Sequence, residues 1–261
     1  MNPVIVRYEI RSPKVKDELK LLFLADLHGV SYGEDNSHLI GMCRKISPDL
    51  ILWGGDMVTC RHRRTYRTAA HLIKALTLTA PVYAVNGNHE TCAGRGGASA
   101  ARLFENYVSF LKKCGVIWVN NKTERLSAGG SDVAVTGYEA PLTAYRKFAI
   151  PCVDSGSLPA VSSKRDFSIL LAHTPALART LFSTGADLIL SGHYHGGVMR
   201  FGRHGVLVSP YGFPFPRFGY GHYSEGESHL IVTSGLGDHA IPFRVNNPCE
   251  IVLITVRPDN G

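Results

Sequence analysis

Leu19-Lys20-Leu21-Leu22-Phe23-Leu24-Ala25-Asp26-Leu27-His28 is the stretch on which the reading of this chain turns. Residues 19–25 form a near-continuous apolar run, the pattern of a strand buried in a sheet. It stops on an acid, with an imidazole two residues later. Working outward, the arrangement recurs. Residues 49–53 lead into Gly54-Gly55-Asp56, and residues 81–85 into Asn86-Gly87-Asn88-His89-Glu90. Residues 167–172 deliver His173, and residues 188–190 lead into Ser191-Gly192-His193-Tyr194-His195. Helical periodicity lies between them, over 38–46 (closed by Ser47-Pro48), 65–78, 99–114 and 175–182. Ser99 reads as the N-cap of the third helix and Gly115 as its end. Further strands are expected at 4–10, 116–119, 132–136, 205–208, 229–233 and 250–256, and an irregular loop over 149–165.

Strand and helix alternate through the first two thirds, and the last third is mostly strand. This predicts an α/β fold, a four-layer α/β/β/α sandwich of two mixed sheets flanked by helices. No repeat, low-complexity tract or long linker divides residues 1–261, so one domain is expected.

The chain has 261 residues, 44% apolar and 19% charged, with a formal net charge of +7. That is ample material for a core and argues against a disordered chain. The positive balance fits an anionic substrate, a membrane surface or nucleic acid without choosing among them. The basic residues are scattered except for Arg61-His62-Arg63-Arg64 and Arg67. That run reads equally as a solvated loop or as an electropositive rim beside Asp56. The six cysteines, at 43, 60, 92, 114, 152 and 249, form no CxxC pair and read as free thiols of a reducing compartment. No signal peptide is visible, and no apolar run approaches the ~18 residues that span a bilayer. A cytoplasmic location is expected, with peripheral membrane contact left open.

Taken singly, Asp26 with His28 and Asp56 read more naturally as turns and His173 as a satisfied histidine, Gly-Asn-His-Glu is rarer but can arise by chance, and His193-Tyr194-His195 is moderately metal-like. Five of them in series, each after an expected strand, point to side chains converging on one place. Mixed Asp, His and Asn donors in one place suit divalent metals. Two neighbouring metals need a bridging carboxylate and ligands on both sides. That chemistry is hydrolysis by an activated water, with no Ser or Cys nucleophile.

The order Asp-x-His, Gly-Gly-Asp, Gly-Asn-His-Glu, single His, Gly-His-x-His resembles the calcineurin-like metallophosphoesterases. Residues 246–254 (Asn-Asn-Pro-Cys-Glu-Ile-Val-Leu-Ile) resemble the closing strand of a bacterial branch of small phosphodiesterases, some of which act on UDP-diacylglucosamine-type lipids. The resemblance implies that Asp26, His28 and His195 hold a first metal and that Asp56 bridges both. Asn88, His173 and His193 hold the second. His89 is then no ligand; it hydrogen-bonds the phosphate or protonates the leaving oxygen, and a hydroxide between the metals attacks phosphorus in line. Oxygen and imidazole donors without thiolate suit Mn, Fe or Zn, with Mn the first expectation.

The expected activity is hydrolysis of a small or lipid-linked phosphodiester. A nuclease is the alternative, disfavoured because no extended Lys/Arg stripe is present. A catalytically silent metal-binding scaffold is the other, disfavoured because every ligand position and His89 are filled. Many family members carry an acid three positions after the bridging Asp, as partner of the catalytic His; here that position is Thr59, with Glu90 or Asp35 as substitutes to consider. Residues 211–223, crowded with aromatics, Gly and Pro, read as an irregular loop, packed on the core or facing the substrate. Arg217 and Arg244 are candidate phosphate contacts. His239, in a Gly-rich turn, is the remaining histidine expected nearest the site. His38, His62, His71, His204, His222 and His229 match no ligand position.

Overall fold

The computed structural model describes residues 3–149, 151–161, 163–201, 205–207, 210–212, 214–238 and 244–259. The strands are β1 (Val4–Ser12), β2 (Leu19–Leu24), β3 (Leu50–Trp53), β4 (Val82–Ala84), β5 (Ile117–Trp118), β6 (Thr123–Ala128), β7 (Ser131–Tyr138), β8 (Phe167–Ala172), β9 (Leu188–Ser191), β10 (Met199–Phe201), β11 (Gly205–Leu207), β12 (Gly221–Glu225), β13 (Ser228–Val232) and β14 (Glu250–Pro258). The α-helices are α1 (Ser37–Ile46), α2 (Arg64–Leu76), α3 (Asn88–Gly94), α4 (Ala98–Lys113) and α5 (Ala178–Phe182).

Two six-stranded sheets result, in the orders β1-β14-β2-β3-β4-β5 and β12-β13-β9-β8-β7-β6. Both are mixed. β2, β3, β4 and β5 run parallel, and β14 pairs antiparallel with β2 and parallel with β1. In the second sheet β7, β8, β9 and β13 run parallel, with β6 and β12 antiparallel at the edges. The period of two within β2 sorts its side chains. Leu19, Leu21 and Phe23 face the second sheet, meeting Val133, Val135, Ile169, Leu171 and Ile231. Leu22 and Leu24 face the opposite way, against the helical layer of α1, α2 and α4. The outer face of the second sheet packs its Leu170, Ile189 and Leu230 on α5. The expected α/β/β/α layering is therefore observed.

Four differences from the sequence reading have physical causes. β6 was not expected, because its exposed and half-buried residues give an edge strand too polar to register. α3 is only seven residues long, too short for a periodicity, and starts on Asn88 itself. α4 begins at Ala98 after Gly97, and the Ser99 hydroxyl accepts from the Arg63 guanidinium instead of capping. The expected loop over 211–223 turns into β12 at Gly221.

Phe23 is fully buried between the sheets. Phe23→Ala is expected to lower stability by about 3–5 kcal/mol, read from the urea midpoint at unchanged slope.

Candidate metal centre

Parallel strands present their C-terminal ends on one side of a sheet, where open α/β folds bind ligands. β2 leads to Asp26 and His28, β3 to Asp56, β4 to Asn88, β8 to His173, and β9 to His193 and His195. Short backbone bonds stitch these ends together. Asp26 N–H donates to Gly55 O (3.0 Å), His28 N–H to Asp56 O (3.1 Å) and Gly192 N–H to His173 O (2.9 Å). Leu236, following β13, donates to Ala25 O at 3.0 Å and so ties the second sheet to the first.

Asp26, His28, Asp56, His193 and His195 all adopt positive φ, between 48° and 65°. Left-handed backbone costs a non-glycine residue free energy, and such residues gather at functional sites. Close approach also demands glycine at two neighbours. A Cβ on Gly87 would collide with the Asp56 carboxylate, and one on Gly192 with that of Asp26.

Three overlapping groups of ligand atoms meet here: Asp26 with His28 and His195, His28 with Asp56 and His89, and Asp56 with His173 and His193. Within each group the atoms lie within 4.8 Å of one another. His173 Nε2 is 3.1 Å from Asp56 Oδ2 and 3.7 Å from Asp26 Oδ1, and His195 Nε2 is 3.6 Å from Asp26 Oδ1. Asp26, Asp56 and His173 are almost wholly buried.

The far side of the imidazoles is equally specified. His173 Nδ1–H donates to Gly54 O at 2.7 Å and His195 Nδ1–H to Gly237 O at 2.9 Å. Such bonds set the tautomer and turn Nε2 toward the carboxylates, the arrangement found in metal-binding histidines generally. Asn88 Oδ1 is buried without a hydrogen-bond partner. Buried polar atoms are rarely left so, and a divalent ion would satisfy it. The donor set of two carboxylates, one amide oxygen and four imidazoles therefore fits divalent metals.

The electrostatics agree. Burial pushes the Asp26 carboxyl up to about 7, with His173 opposing and Asp56 adding to the rise. Burial also acts to raise Asp56, but His173, His89 and His28 hold it well below the usual carboxylate range. Burial alone would depress His173, yet Asp56 and Asp26 lift it to about 9. The site calls for positive charge, which in the metal-free protein a proton on His173 provides.

Glu90 stands beside the site and holds the backbone of the Asp56 turn. Its buried carboxylate accepts from the N–H groups of Asp56, Met57, Val58 and Gly87, at 2.7–3.2 Å. It shapes the Asp56 turn. Asp35 is exposed, its carbonyl meeting His71. His89 Nδ1 instead accepts from the backbone N–H of Cys60 at 3.1 Å. That replaces the expected acidic partner, with Thr59 N–H engaged by Thr65 Oγ1.

Other candidates lie elsewhere. Arg244 is committed to Asp238 Oδ1, Ser234 O and Gly237 O, so it braces the turn that holds His195. Arg217 is exposed over the Phe218 ring. His239 and His204 fall outside the described residues. His222 and His229 pair with each other at 2.9 Å. Tyr211 is buried, its ring 5.4 Å from His193 and its hydroxyl donating to Ala144 O. That end of the aromatic segment packs on the core. Sequence reading missed Asn247, whose amide donates to His195 O and Gly197 O at 2.7 Å. It also missed Tyr145, 4.9 Å from His193 ring to ring. Asn247 lies in the 246–254 segment quoted for its resemblance, which assigned it no role, and Tyr145 lies in no motif. The cysteines are not all free either. Cys60 and Cys92 form a disulfide, because the Asp56 turn and α3 bring their Cα atoms to 5.9 Å.

The calcineurin-like phosphoesterase family model matches residues 19–197, the span that carries every one of the expected metal ligands and His89. The chain belongs to that family and is a hydrolase acting on phosphoester bonds. The uncharacterized metallophosphoesterase YkuE of Bacillus subtilis is 28% identical over 252 residues, 94% of this chain and 81% of that protein. Phosphodiesterase YaeI of Escherichia coli is 27% identical over 239 residues, 90% of this chain and 81% of YaeI. Among solved structures, TT1561 of Thermus thermophilus aligns with 83% of this chain and 89% of its own at 12% identity and a TM-score of 0.47.

Glu90→Gln turns an amide N–H₂ toward backbone donors. It is expected to cost about 1–3 kcal/mol of stability in chemical denaturation, because buried N–H groups lose their acceptor.

Proposed function

We propose that this phosphoesterase is a two-metal phosphodiesterase acting on a small or lipid-linked phosphodiester. Asp26, His28 and His195 hold one ion, Asp56 bridges, and Asn88, His173 and His193 hold the other. The observation that carries this reading is the overlap of three ligand groups on one buried pair of carboxylates, with two imidazoles locked into the ligating tautomer. Divalent ions held by these residues would supply an activated water near neutral pH and would offset charge on the phosphoryl oxygens. Mn is the metal first expected, with Fe or Zn as alternatives for the same donors. Only two of the ligands are anionic, so the loaded site keeps a net positive charge and attracts a phosphodiester anion. The phosphodiesterase YaeI similarity supports a diester.

The Cys60 bond supports the first of the two roles considered for His89. With Nδ1 accepting, the neutral ring carries its proton on Nε2. Surrendering that proton would leave an imidazolate, so His89 gives a hydrogen bond to a phosphoryl oxygen and is not the proton source for the leaving group. A fixed donor of this kind is worth about 10²–10³ in kcat.

Two measurements test this. The Mn-loaded protein is expected to hydrolyse bis-p-nitrophenyl phosphate and to lose that turnover on chelation. His89→Ala is expected to lower kcat by about 10²–10³ equally for good and poor leaving groups; a loss that grows as the leaving group worsens would assign it general-acid work instead. Metal binding must displace the His173 proton, which the metal-free protein keeps below about 9. Affinity therefore rises with pH up to that value. Calorimetry near pH 7.5 in buffers of different ionisation enthalpy is expected to show at least one proton released, that of His173, with any hydroxide formed adding to it.

A further inference from the structure

Cys60 and Cys92 bridge two of the segments that build the site, 32 residues apart in sequence. Cys60 lies four residues after Asp56, on the turn whose N–H groups Glu90 gathers. Cys92 lies in α3, whose first two residues are Asn88 and His89. The backbone N–H of Cys60 is the donor to His89 Nδ1. The covalent link thus joins the donor's residue to the helix that carries the acceptor, one turn away. From this geometry we infer that the Cys60–Cys92 disulfide positions His89, and that its reduction lowers the phosphodiesterase activity reversibly.

A second observation makes the bridge reachable. Both cysteines are half-buried and line a groove of about 670 Å³ with Arg61, Arg63, Tyr66 and Leu103. Arg61 and Arg63 are exposed cations, and positive charge favours thiolate over thiol. The basic run following Asp56 thereby gains a role beside the bridge. The exchange needs a dithiol reductant. One of its thiolates attacks a bridge sulfur, the S–S bond breaks, and the electron pair leaves on the other sulfur, which takes a proton. The reductant's second thiol then displaces the mixed disulfide. The dithiol is oxidised, and both cysteines end as thiols.

This inference rests on the proposed function, and its test separates the two. Full-length protein is reduced with dithiothreitol, desalted and reloaded with Mn²⁺. Thiol titration after denaturation is expected to give six thiols, against the four of Cys43, Cys114, Cys152 and Cys249 before reduction. Reduction is expected to lower kcat on bis-p-nitrophenyl phosphate about ten- to a hundredfold, as misplacing a catalytic group does. KM is expected to change by less than about twofold, and oxidised glutathione to restore kcat. The double variant Cys60→Ser/Cys92→Ser is expected to show the lowered kcat with no response to reductant, and Cys152→Ser to respond as wild type. Imidazole ¹⁵N spectra, with His89 assigned by His89→Gln, give a readout independent of turnover. A single Nε2–H tautomer is expected in the oxidised protein and a mixture after reduction. Unchanged kcat and tautomer after verified reduction overturn the inference, as do six thiols before reduction or a response that persists in the double variant. Absence of turnover in the oxidised, Mn-loaded enzyme overturns the proposed function, and the tautomer still decides the bridge.

Discussion

Two carboxylates, Asp26 and Asp56, are buried side by side at the meeting point of two sheets, and the surroundings are arranged to make that tolerable. Buried charges persist only when paired, hydrogen-bonded or bound to metal. Asp26 accepts from the His193 N–H, and Asp56 Oδ1 accepts from the His89 N–H. The His173 imidazole stands between the two. Remove any of these and uncompensated negative charge is left in the interior. That constraint explains why the turns around the pair are strained, why glycines flank them and why so much backbone is spent as donors.

The chemistry follows from the same balance of charge. Imidazoles add no negative charge, so in the proposed function the centre would remain electropositive toward an anionic phosphoester once ions are bound. The carbonyls of Gly54 and Gly237 select the ligating face of two imidazoles, and the N–H of Cys60 selects the donating face of His89. Backbone groups on irregular turns thus decide protonation states at the centre. The disulfide belongs to this layer of control, because it acts on where one of those backbone donors stands.

Much of the fold was legible because burial leaves a pattern. β2, β3, β8 and β9 are fully or almost fully buried and read as apolar runs, and α1, α2 and α4 carry an apolar stripe. Elements whose stability comes from neighbours were not legible. β6 pairs along a half-exposed edge, and α3 is one short piece anchored by Glu90. Glu90 stood in the motif itself, but its partners are main-chain N–H groups of a turn more than thirty residues upstream.

The sequence by itself determined the layered α/β class, the strand ends on which Asp26, His28, Asp56, Asn88, His173, His193 and His195 sit, and the kind of metal chemistry such donors suit. Those follow from local periodicity and side-chain type, which need no knowledge of the partner. Only the tertiary structure decided that Cys60 meets Cys92, that Cys60 replaces an acid behind His89, and that Arg244 braces a turn. These depend on which turns meet across space and on where backbone N–H and C=O groups point. Every non-proline residue carries the same main-chain groups, so the order of side chains does not encode their direction.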